Sequence, residues 1–145
     1  MKILLPDGTP SDADPITEIL KTYKTIAVVG LSSNPVRPSN GVAEYLQSVG
    51  YRIIPVNPNE REVLGEKSYA RLEDVPEKVE IVDVFRRSDQ VGQIADSAIA
   101  VRAKVLWLQL GVIDERAAEK ARAADLTVIM DACLYVEHQR RRKSL

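Results

Sequence analysis

Short runs of β-forming apolar residues alternate along the chain with segments in which apolar residues recur every three or four positions. The runs predict buried strands, and most of the segments between them predict amphipathic helices. Strands and helices that alternate in this way form a parallel sheet with right-handed crossover connections. The predicted strands are Ile26–Val29, Arg52–Val56, Glu80–Phe85, Lys104–Gln109 and Leu126–Met130.

Helix signals complete the predicted order of elements. Ser11 is expected to cap a short N-terminal helix, with Pro15 in its first turn. A second helix should begin near Ser39, and Ser88–Asp89 and Asp114 should cap the next two. The predicted fold is α/β: a Rossmann-like, doubly wound, mainly parallel five-stranded sheet with helices on both faces, preceded by the short helix.

Length and composition narrow the class of protein. The 145 residues predict one domain over 1–145, and 20 basic against 21 acidic residues give a formal charge of −1. A general polyanion-binding face is therefore not expected, so nucleic acid is not a predicted partner. Cys133 is the single cysteine, which suits a reducing cytoplasm, and the apolar runs are too short for a membrane span. The prediction is a cytoplasmic protein without a membrane partner.

Few residues are available for metal or nucleophilic chemistry. One histidine and one cysteine cannot supply the four ligands of a structural zinc site. His138 falls in a polar C-terminal stretch, a poor place for the oriented base of a hydrolytic triad. The basic run 139–143 is interpreted as a solvated tail or a weak electrostatic anchor. Asp83 and Asp131 stand at strand ends, but no paired spacing marks them as acid and base, so no catalytic or metal-binding residue is assigned.

The segment Thr25–Asn34 carries the main functional signal. Its apolar run stops at Gly30, small polar residues follow, and a helix begins a few residues later. A buried strand, a glycine turn and a helix N-terminus together hold phosphate in many nucleotide-binding folds, because backbone N–H groups there are unpaired. Turns of this kind also occur without a ligand, so the loop alone leaves both interpretations open.

The loop departs from the usual dinucleotide fingerprint, G-x-G-x-x-G. Gly30 supplies the first glycine, but Ser32 and Pro35 stand where the others belong. The second strand ends at Asn57-Pro58, without the acid that binds the ribose of NAD. Pro55 inside that strand suggests a strand at the edge of the sheet. The pattern argues against a standard NAD site.

The ends of the other strands supply further candidate groups. Ligands of doubly wound folds lie outside the carboxyl ends of the strands, where this chain has an aromatic ring, guanidinium groups and an amide. Two of the arginines could instead be surface charges at a helix N-terminus, where their sign is unfavourable. The candidate ligand-binding residues are Gly30, Ser32, Ser33, Asn34, Arg37, Pro38, Asn57, Pro58, Val84, Phe85, Arg86, Arg87, Gln109 and Gly111.

Two further side chains have competing interpretations. Trp107 lies in a predicted strand and is expected in the core rather than in a ligand site. Cys133 follows the last strand, and the default for a lone cysteine is a small buried residue. The alternative is a reactive thiol that forms a mixed disulfide with a thiol ligand.

Five motifs follow one another along the chain: IAVVGLSSNPVRPS, YRIIPVNP, VDVFRR, WLQLG and MDACL. In this order they resemble the motifs of the small stand-alone CoA-binding proteins, which are similar to the N-terminal domain of the succinyl-CoA synthetase α chain. The resemblance covers about residues 25–137.

The resemblance implies a Rossmann-type domain whose cofactor is coenzyme A or an acyl-CoA. The first loop, with Arg37, would hold the diphosphate, Asn57 and Pro58 would lie near the ribose phosphate, and Val84–Arg87 would flank the adenosine. The 3′-phosphate of CoA also explains why the second strand does not end in an acid. The synthetase's phosphorylated histidine belongs to a second domain, and His138 does not match its motif.

Three functions remain open at this level. The first is a module that binds CoA or acyl-CoA without intrinsic catalysis. The second is an enzyme, or a subunit of one, that acts on acyl-CoA, and the third is a regulator that senses NAD(H). A homo-oligomer or a partner enzyme subunit is possible in each case.

Overall fold

A computed structural model describes residues 1–8 and 14–145 of the chain. Its main sheet contains strands β1 (Lys2–Leu4), β2 (Thr25–Val29), β3 (Arg52–Val56), β6 (Ile81–Val84), β7 (Val105–Leu108) and β8 (Thr127–Met130), while β4 (Glu62–Val63) and β5 (Glu66–Lys67) form a separate hairpin. The α-helices are α1 (Pro15–Thr22), α2 (Pro38–Ser48), α3 (Val91–Ala100), α4 (Glu115–Ala123) and α5 (Leu134–Arg141).

The strand order β1-β8-β7-β6-β2-β3 makes a Rossmann-like sheet. Strands β3, β2, β6, β7 and β8 are parallel, and β1 is antiparallel to β8. The predicted α/β class and parallel sheet are therefore confirmed. Pro55 lies in β3 at one edge of the sheet, where the N–H that proline lacks is not needed by a second neighbouring strand.

The predicted strand count is wrong by one, because β1 adds a sixth strand and comes before the N-terminal helix. Lys2 pairs with Met130 and Leu4 with Val128, so the short strand covers the exposed edge of β8. Three residues are too few to show an alternating pattern, and only pairing with β8 identifies them as a strand.

Two helix starts also differ from the sequence-based prediction. Asp14 is the N-cap of α1 and accepts a hydrogen bond from the Ile16 N–H, whereas Ser11 lies outside the described residues. Ser88 begins a 3-10 turn and does not cap α3. Its hydroxyl instead accepts from the Ile113 N–H at 2.9 Å and so joins two loops. Asp114 caps α4 as predicted.

The predicted C-terminal tail is helical up to Arg141, and α5 packs against other helices, while Arg140, Arg142 and Lys143 of the basic run are exposed. Glu137 and His138 are each 5% exposed. The Tyr45 hydroxyl and His138 Nδ1 lie 2.7 Å apart, and Arg141 forms ion pairs with Glu137 and with Asp14. His138 is therefore buried and oriented, contrary to expectation. The polar sequence of α5 did not indicate a packed helix, because His138 and Arg141 contact polar groups outside this helix.

Two apolar layers enclose the sheet. One packs β2, β6, β7 and β8 against α3 and α4, and the other packs them against α1, α2 and α5. Trp107 is fully buried in the second layer, and its indole N–H donates to the Ala132 carbonyl at 2.9 Å. The prediction that Trp107 is a core residue is confirmed.

Candidate functional site

The site lies where the chain reverses its direction across the sheet. From β2 the chain proceeds to β3 on one side, and it later enters β6 on the other side of β2. The loops that leave β2 and β6 therefore diverge and open a crevice at the carboxyl ends of the strands. Gly30 begins one of these loops, and Phe85–Arg87 forms the other.

Gly30 allows the two loops to approach closely. Its φ is +91°, and its N–H donates to the Val56 carbonyl at 2.8 Å. A Cβ at this position would lie 2.6 Å from the carbonyl oxygen of Phe85. Glycine is therefore required both by the left-handed backbone and by the neighbouring strand end.

The loop after Gly30 is built by its own hydrogen bonds. The Ser32 N–H donates to Ser39 Oγ at 3.1 Å, and the Asn34 N–H donates to Ser32 Oγ at 3.0 Å. Asn40 Nδ2 donates to the Ser32 carbonyl at 2.9 Å. The expectation of unpaired N–H groups throughout this turn is therefore corrected, since serine side chains occupy several of them.

The start of α2 keeps a free donor. Pro38 is the first helical residue and has no N–H, and neither Arg37 at the N-cap nor an acid in the first turn compensates the helix end. The Ser39 N–H makes no hydrogen bond to any described residue. The positive end of the α2 dipole therefore faces the crevice, and no acidic side chain in the first turn of α2 neutralises it.

Glu60 is a site residue that the sequence analysis missed. The Ser33 N–H and hydroxyl both donate to its carboxylate, so a carboxylate occupies part of the predicted phosphate loop. Asn57 connects the loop after Gly30 with the backbone just before Glu60. Its Nδ2 donates to the Leu31 carbonyl at 3.0 Å, and its Oδ1 accepts from the Asn59 N–H. Because Glu60 lies 27 residues beyond Ser33, no local sequence pattern indicates that the two residues are in contact.

The three predicted arginines have different surroundings. Arg87 is exposed and lies 3.5 Å from Asp89. Arg86 is half-buried and makes no hydrogen bond or ion pair with a described residue, and its Nε would lie 3.3 Å from a Cβ on Gly30. Arg37 is exposed and likewise has no partner among the residues described. Arg86 and Arg37 are therefore the available cations of the crevice.

Three cavities adjoin along this crevice. The loop cavity, about 500 Å³, lies between the Gly30 loop, the start of α2 and Glu60. The β3 cavity, about 390 Å³, lies between the end of β3 and α3, with Pro58 and Arg71 in its wall. The apolar groove, about 470 Å³, is lined by Val42, Phe85, Leu110, Val112 and Cys133 among others. Arg86 lines all three cavities, which are together called the cleft below.

A buried carboxyl lies close to the apolar groove. Asp83 is fully buried in β6, and burial raises its pKa to about 7. Gln109 Nε2 donates to Asp83 Oδ1 at 2.7 Å, a contact that lowers the pKa in part, while Asp83 Oδ2 has no hydrogen-bond partner among the described residues. The sequence analysis placed Asp83 at a strand end, but it lies within the strand.

The remaining candidates lie at varying distances from the cleft. Val84 is fully buried in the core, so only its backbone can face a ligand. Gly111 has a φ of +79°, and its N–H donates to Asp131 Oδ1 at 2.7 Å, which joins two loops. Cys133 is only partly buried and lines the apolar groove, contrary to the default expectation for a lone cysteine.

The comparisons with known proteins decide the family. The model of the CoA binding domain matches residues 24–139, which is most of the chain. The chain belongs to the CoA-binding domain family. It is 44% identical over 129 residues to the uncharacterised protein YneT of Bacillus subtilis (strain 168), and the match covers 89% of this chain and 95% of YneT.

Similarity to solved structures supports the same family assignment. A protein from Pyrococcus horikoshii OT3 superposes with a TM-score of 0.86 at 38% identity, covering 97% of each chain. The dinucleotide-forming acetyl-coenzyme A synthetase 1 of Ca. Korarchaeum cryptofilum superposes with a TM-score of 0.64 at 28% identity. That match covers 77% of this chain but only 26% of the synthetase. The predicted resemblance to stand-alone CoA-binding proteins is confirmed.

Two further findings concern metal ligands and membrane spans. Within residues 1–8 and 14–145, no group of three or more His, Cys, Asp or Glu side chains is arranged to hold a metal ion. In the same residues, no helix is long and apolar enough to cross a membrane.

Proposed function

We propose that this protein binds coenzyme A, or an acyl-CoA, in the cleft that Arg86 lines from end to end, without catalysing a reaction of its own. The observation that carries the proposal is the half-buried Arg86 guanidinium, which has no partner among residues 1–8 and 14–145 and lines all three cavities. An unpaired arginine at a nucleotide-binding crevice suits a diphosphate, because its fork of donors matches phosphate oxygens.

Each part of CoA has a matching part of the cleft. The diphosphate would lie in the loop cavity, near Arg37, Arg86 and the free Ser39 N–H. The adenosine and its 3′-phosphate would lie in the β3 cavity, beside Pro58 and Arg71. The apolar groove would then receive the pantetheine arm, and its apolar wall suits an acyl chain as well.

The end of β3 favours CoA over NAD. Asn57 stands where an NAD site has an acid, and both ends of its amide are already bonded to the protein. A ribose 3′-phosphate needs cations, and the β3 cavity supplies Arg71 and Arg86. An NAD(H)-sensing function is therefore the weaker candidate, and an acyl-CoA-utilising enzyme or subunit lacks an assigned catalytic group. The cytoplasmic location and any oligomer or partner subunit stay predictions.

Calorimetric titration with CoA, dephospho-CoA and NAD tests the proposal. We expect CoA to bind more tightly than dephospho-CoA, and both to bind more tightly than NAD. Arg86→Gln should weaken CoA binding about tenfold or more, since it removes a charge-assisted contact. Arg102→Gln is the control, because Arg102 is exposed and lines none of the three cavities, and it should change the affinity by less than about threefold.

Two results would overturn this proposal. No heat of binding at about millimolar CoA would exclude a CoA site, and tighter binding of NAD would favour the regulator. Steady turnover of an acyl-CoA by the isolated protein would replace the binding module with the enzyme.

A further inference from the structure

The apolar groove and the loop cavity share one wall but differ in chemical character. Pro38, Phe85 and Arg86 line both of them. The rest of the loop cavity is mainly polar, with serine, asparagine, arginine and glutamate side chains. Apart from Arg87 and Gln109, the remaining described residues of the groove wall are apolar: Val42, Leu110, Val112 and Cys133. A ligand that fits both spaces is therefore expected to be anionic at one end and apolar at the other.

Leu110 leaves a large apolar side chain in contact with water at this groove. It is 66% exposed, although it directly follows the buried residue Gln109. On a flat surface a single exposed leucine needs no explanation. Here it lies in the wall of a concave site beside Val42, Phe85 and Val112, where apolar side chains commonly contact a ligand.

The turn that carries Leu110 is held by hydrogen bonds. The Val112 N–H donates to the Gln109 carbonyl at 2.9 Å and closes a four-residue turn, in which Gly111 has the positive φ that a type II turn requires. The Gly111 N–H donates to Asp131 Oδ1 at 2.7 Å and so connects this turn to the end of β8. A fixed backbone thus presents Leu110 at the groove, which lowers the entropy cost of binding a ligand there.

The arginines of the groove are engaged elsewhere. The Arg86 guanidinium also lines the loop cavity, where the diphosphate is proposed to bind. Arg87 Nε lies 3.5 Å from Asp89 Oδ1, and both side chains of this ion pair are largely exposed to solvent. The groove therefore offers a ligand apolar contact rather than a further cation, and this suits an aliphatic chain better than a carboxylate.

We propose that the protein selects acyl-CoA over free CoA, with an aliphatic acyl chain that extends beyond the pantetheine arm and packs against Leu110, Val42 and Val112. This inference rests on the proposed function, because it requires the CoA part of the ligand to occupy the cavities beside Arg86. It names the ligand class of that site, which is a thioester of CoA with an uncharged, apolar acyl group.

Calorimetric titration with CoA, butyryl-CoA, hexanoyl-CoA and octanoyl-CoA tests the proposal. Each added methylene should raise the affinity about two- to fourfold until the groove is filled, because apolar surface of both the chain and Leu110 is removed from water. We expect one ligand per chain, and octanoyl-CoA should bind about tenfold or more tightly than CoA. Equal affinities for CoA and octanoyl-CoA would overturn the proposal.

Adipoyl-CoA is the matched ligand, because its chain has the length of the hexanoyl chain but ends in a carboxylate. That carboxylate would lose its hydration against the apolar wall. Adipoyl-CoA should therefore bind within about threefold of CoA and more weakly than hexanoyl-CoA. Tighter binding of adipoyl-CoA than of hexanoyl-CoA would mean that the groove recognises a charged acyl group, and it would overturn the proposal.

Leu110→Ser tests where the acyl chain lies. The variant should lower the ratio of the octanoyl-CoA affinity to the CoA affinity by about threefold or more, since it removes an apolar contact of the chain. Ile113→Ser is the matched control, because Ile113 is 47% exposed in the same loop but lines none of the three cavities. It should leave that ratio unchanged within about twofold. Circular dichroism and a thermal melt verify that both variants are folded, and an unchanged ratio in folded Leu110→Ser would overturn the proposal.

Titration of the unchanged protein with free CoA distinguishes the failure of this inference from that of the proposed function. Binding of CoA without any gain from an acyl chain would overturn acyl selection and leave the CoA-binding function intact. Failure to bind either CoA or an acyl-CoA would overturn both.

Discussion

At the scale of single residues, Gly30 and Asp83 show how closely the strand ends are packed. Gly30 combines a positive φ with a neighbouring carbonyl at the position of its absent side chain. Asp83 places a carboxyl in the apolar interior with one oxygen left unbonded. Both positions carry a cost that the surrounding structure offsets, and each predicts a measurable effect.

Gly30→Ala should destabilise the fold and impair CoA binding. The added Cβ would lie 2.6 Å from the Phe85 carbonyl oxygen, so the two loops must move apart. Gly50→Ala is the matched control, because Gly50 also has a positive φ but has no atom near its Cβ position. We expect Gly30→Ala to lower the free energy of unfolding by at least about 1 kcal/mol more than Gly50→Ala does in urea denaturation. Equal losses would show that the close approach has no energetic consequence.

The raised pKa of Asp83 predicts a pH-dependent stability. In the unfolded chain the carboxyl ionises near 3.8, whereas in the folded protein burial raises its pKa to about 7. The contribution of Asp83 to the free energy of unfolding is therefore fully present below about pH 4. It is lost as the pH rises toward 7, because Asp83 loses its proton in the unfolded chain before it does so in the folded protein. Above that range both states are ionised and the loss is constant.

Asp83→Asn should remove this loss. The difference in free energy of unfolding between the variant and the unchanged protein should grow, in favour of the variant, by on the order of 2 kcal/mol from pH 5 to pH 8. Urea denaturation at several pH values measures the difference. Glu44→Gln, at an exposed position of α2, is the control and should leave the pH dependence unaltered. Parallel curves for Asp83→Asn and the unchanged protein would contradict the assignment.

At the scale of elements, α5 depends on side-chain partners more than on an apolar face. Arg141 connects Glu137 of its own helix with Asp14 at the start of α1. Burial lowers the pKa of His138, and its ring packs edge-on against Tyr45 and Tyr51. The C-terminal helix is therefore fixed to α1 and α2 by polar contacts in a partly buried layer.

Arg141→Ala should destabilise the protein much more than Arg140→Ala. The Arg141 side chain is 16% exposed and pairs with a Glu137 carboxylate that is almost fully buried, so its removal leaves a poorly compensated charge. We expect a loss of about 1–3 kcal/mol in thermal or urea unfolding. Arg140 also pairs with Glu137 but is 68% exposed, and its removal should cost less than about 0.5 kcal/mol. Similar losses would place the two ion pairs in equivalent surroundings.

At the scale of the whole molecule, charge is balanced overall but concentrated in the cleft. The formal charge is −1, yet the guanidinium groups of Arg37 and Arg86 have no partner among the described residues, and Glu60 lines the loop cavity with them. A carboxylate there holds the Ser33 N–H and opposes a second anion. Glu60 thus places in the loop cavity a carboxylate that would compete with phosphate.

Glu60→Gln should therefore strengthen CoA binding. The amide oxygen can still accept from Ser33, while repulsion of the diphosphate is removed. We expect an increase in affinity of about three- to tenfold by calorimetry at low salt, and a smaller increase as salt is added. Glu62→Gln, on the nearby β4, is the control and should change the affinity little. A weaker affinity for Glu60→Gln would mean that the carboxylate supports the loop more than it repels the ligand.

The local pattern of apolar and polar residues was sufficient to predict the alternation of strands and helices. The runs at 26–29, 52–56, 81–84, 105–108 and 127–130 are apolar because both faces of their sheet are covered. Gly30 could likewise be recognised, since its turn and the following helix are neighbours in the chain. The motif series extended that inference to CoA.

Other features depend on residues that are distant in the chain. The strand β1 exists because β8 offers an edge, and α5 exists as a packed helix because Asp14 and Tyr45 lie beside it. Glu60 meets Ser33 only after β3 has paired with β2. None of these contacts produces a periodic pattern in the sequence.

The sequence by itself determined the α/β class, the strand–glycine–helix turn at Gly30 and the family, because each depends on short-range order along the chain. Tertiary structure alone decided that the carboxyl ends of β2 and β6 lie side by side, and that Arg86 lines all three cavities whereas Arg87 lines the apolar groove alone. It also decided that Cys133 shares a groove with Gln109. Adjacent arginines are equivalent in a sequence, and only packing across the sheet distinguishes their surroundings.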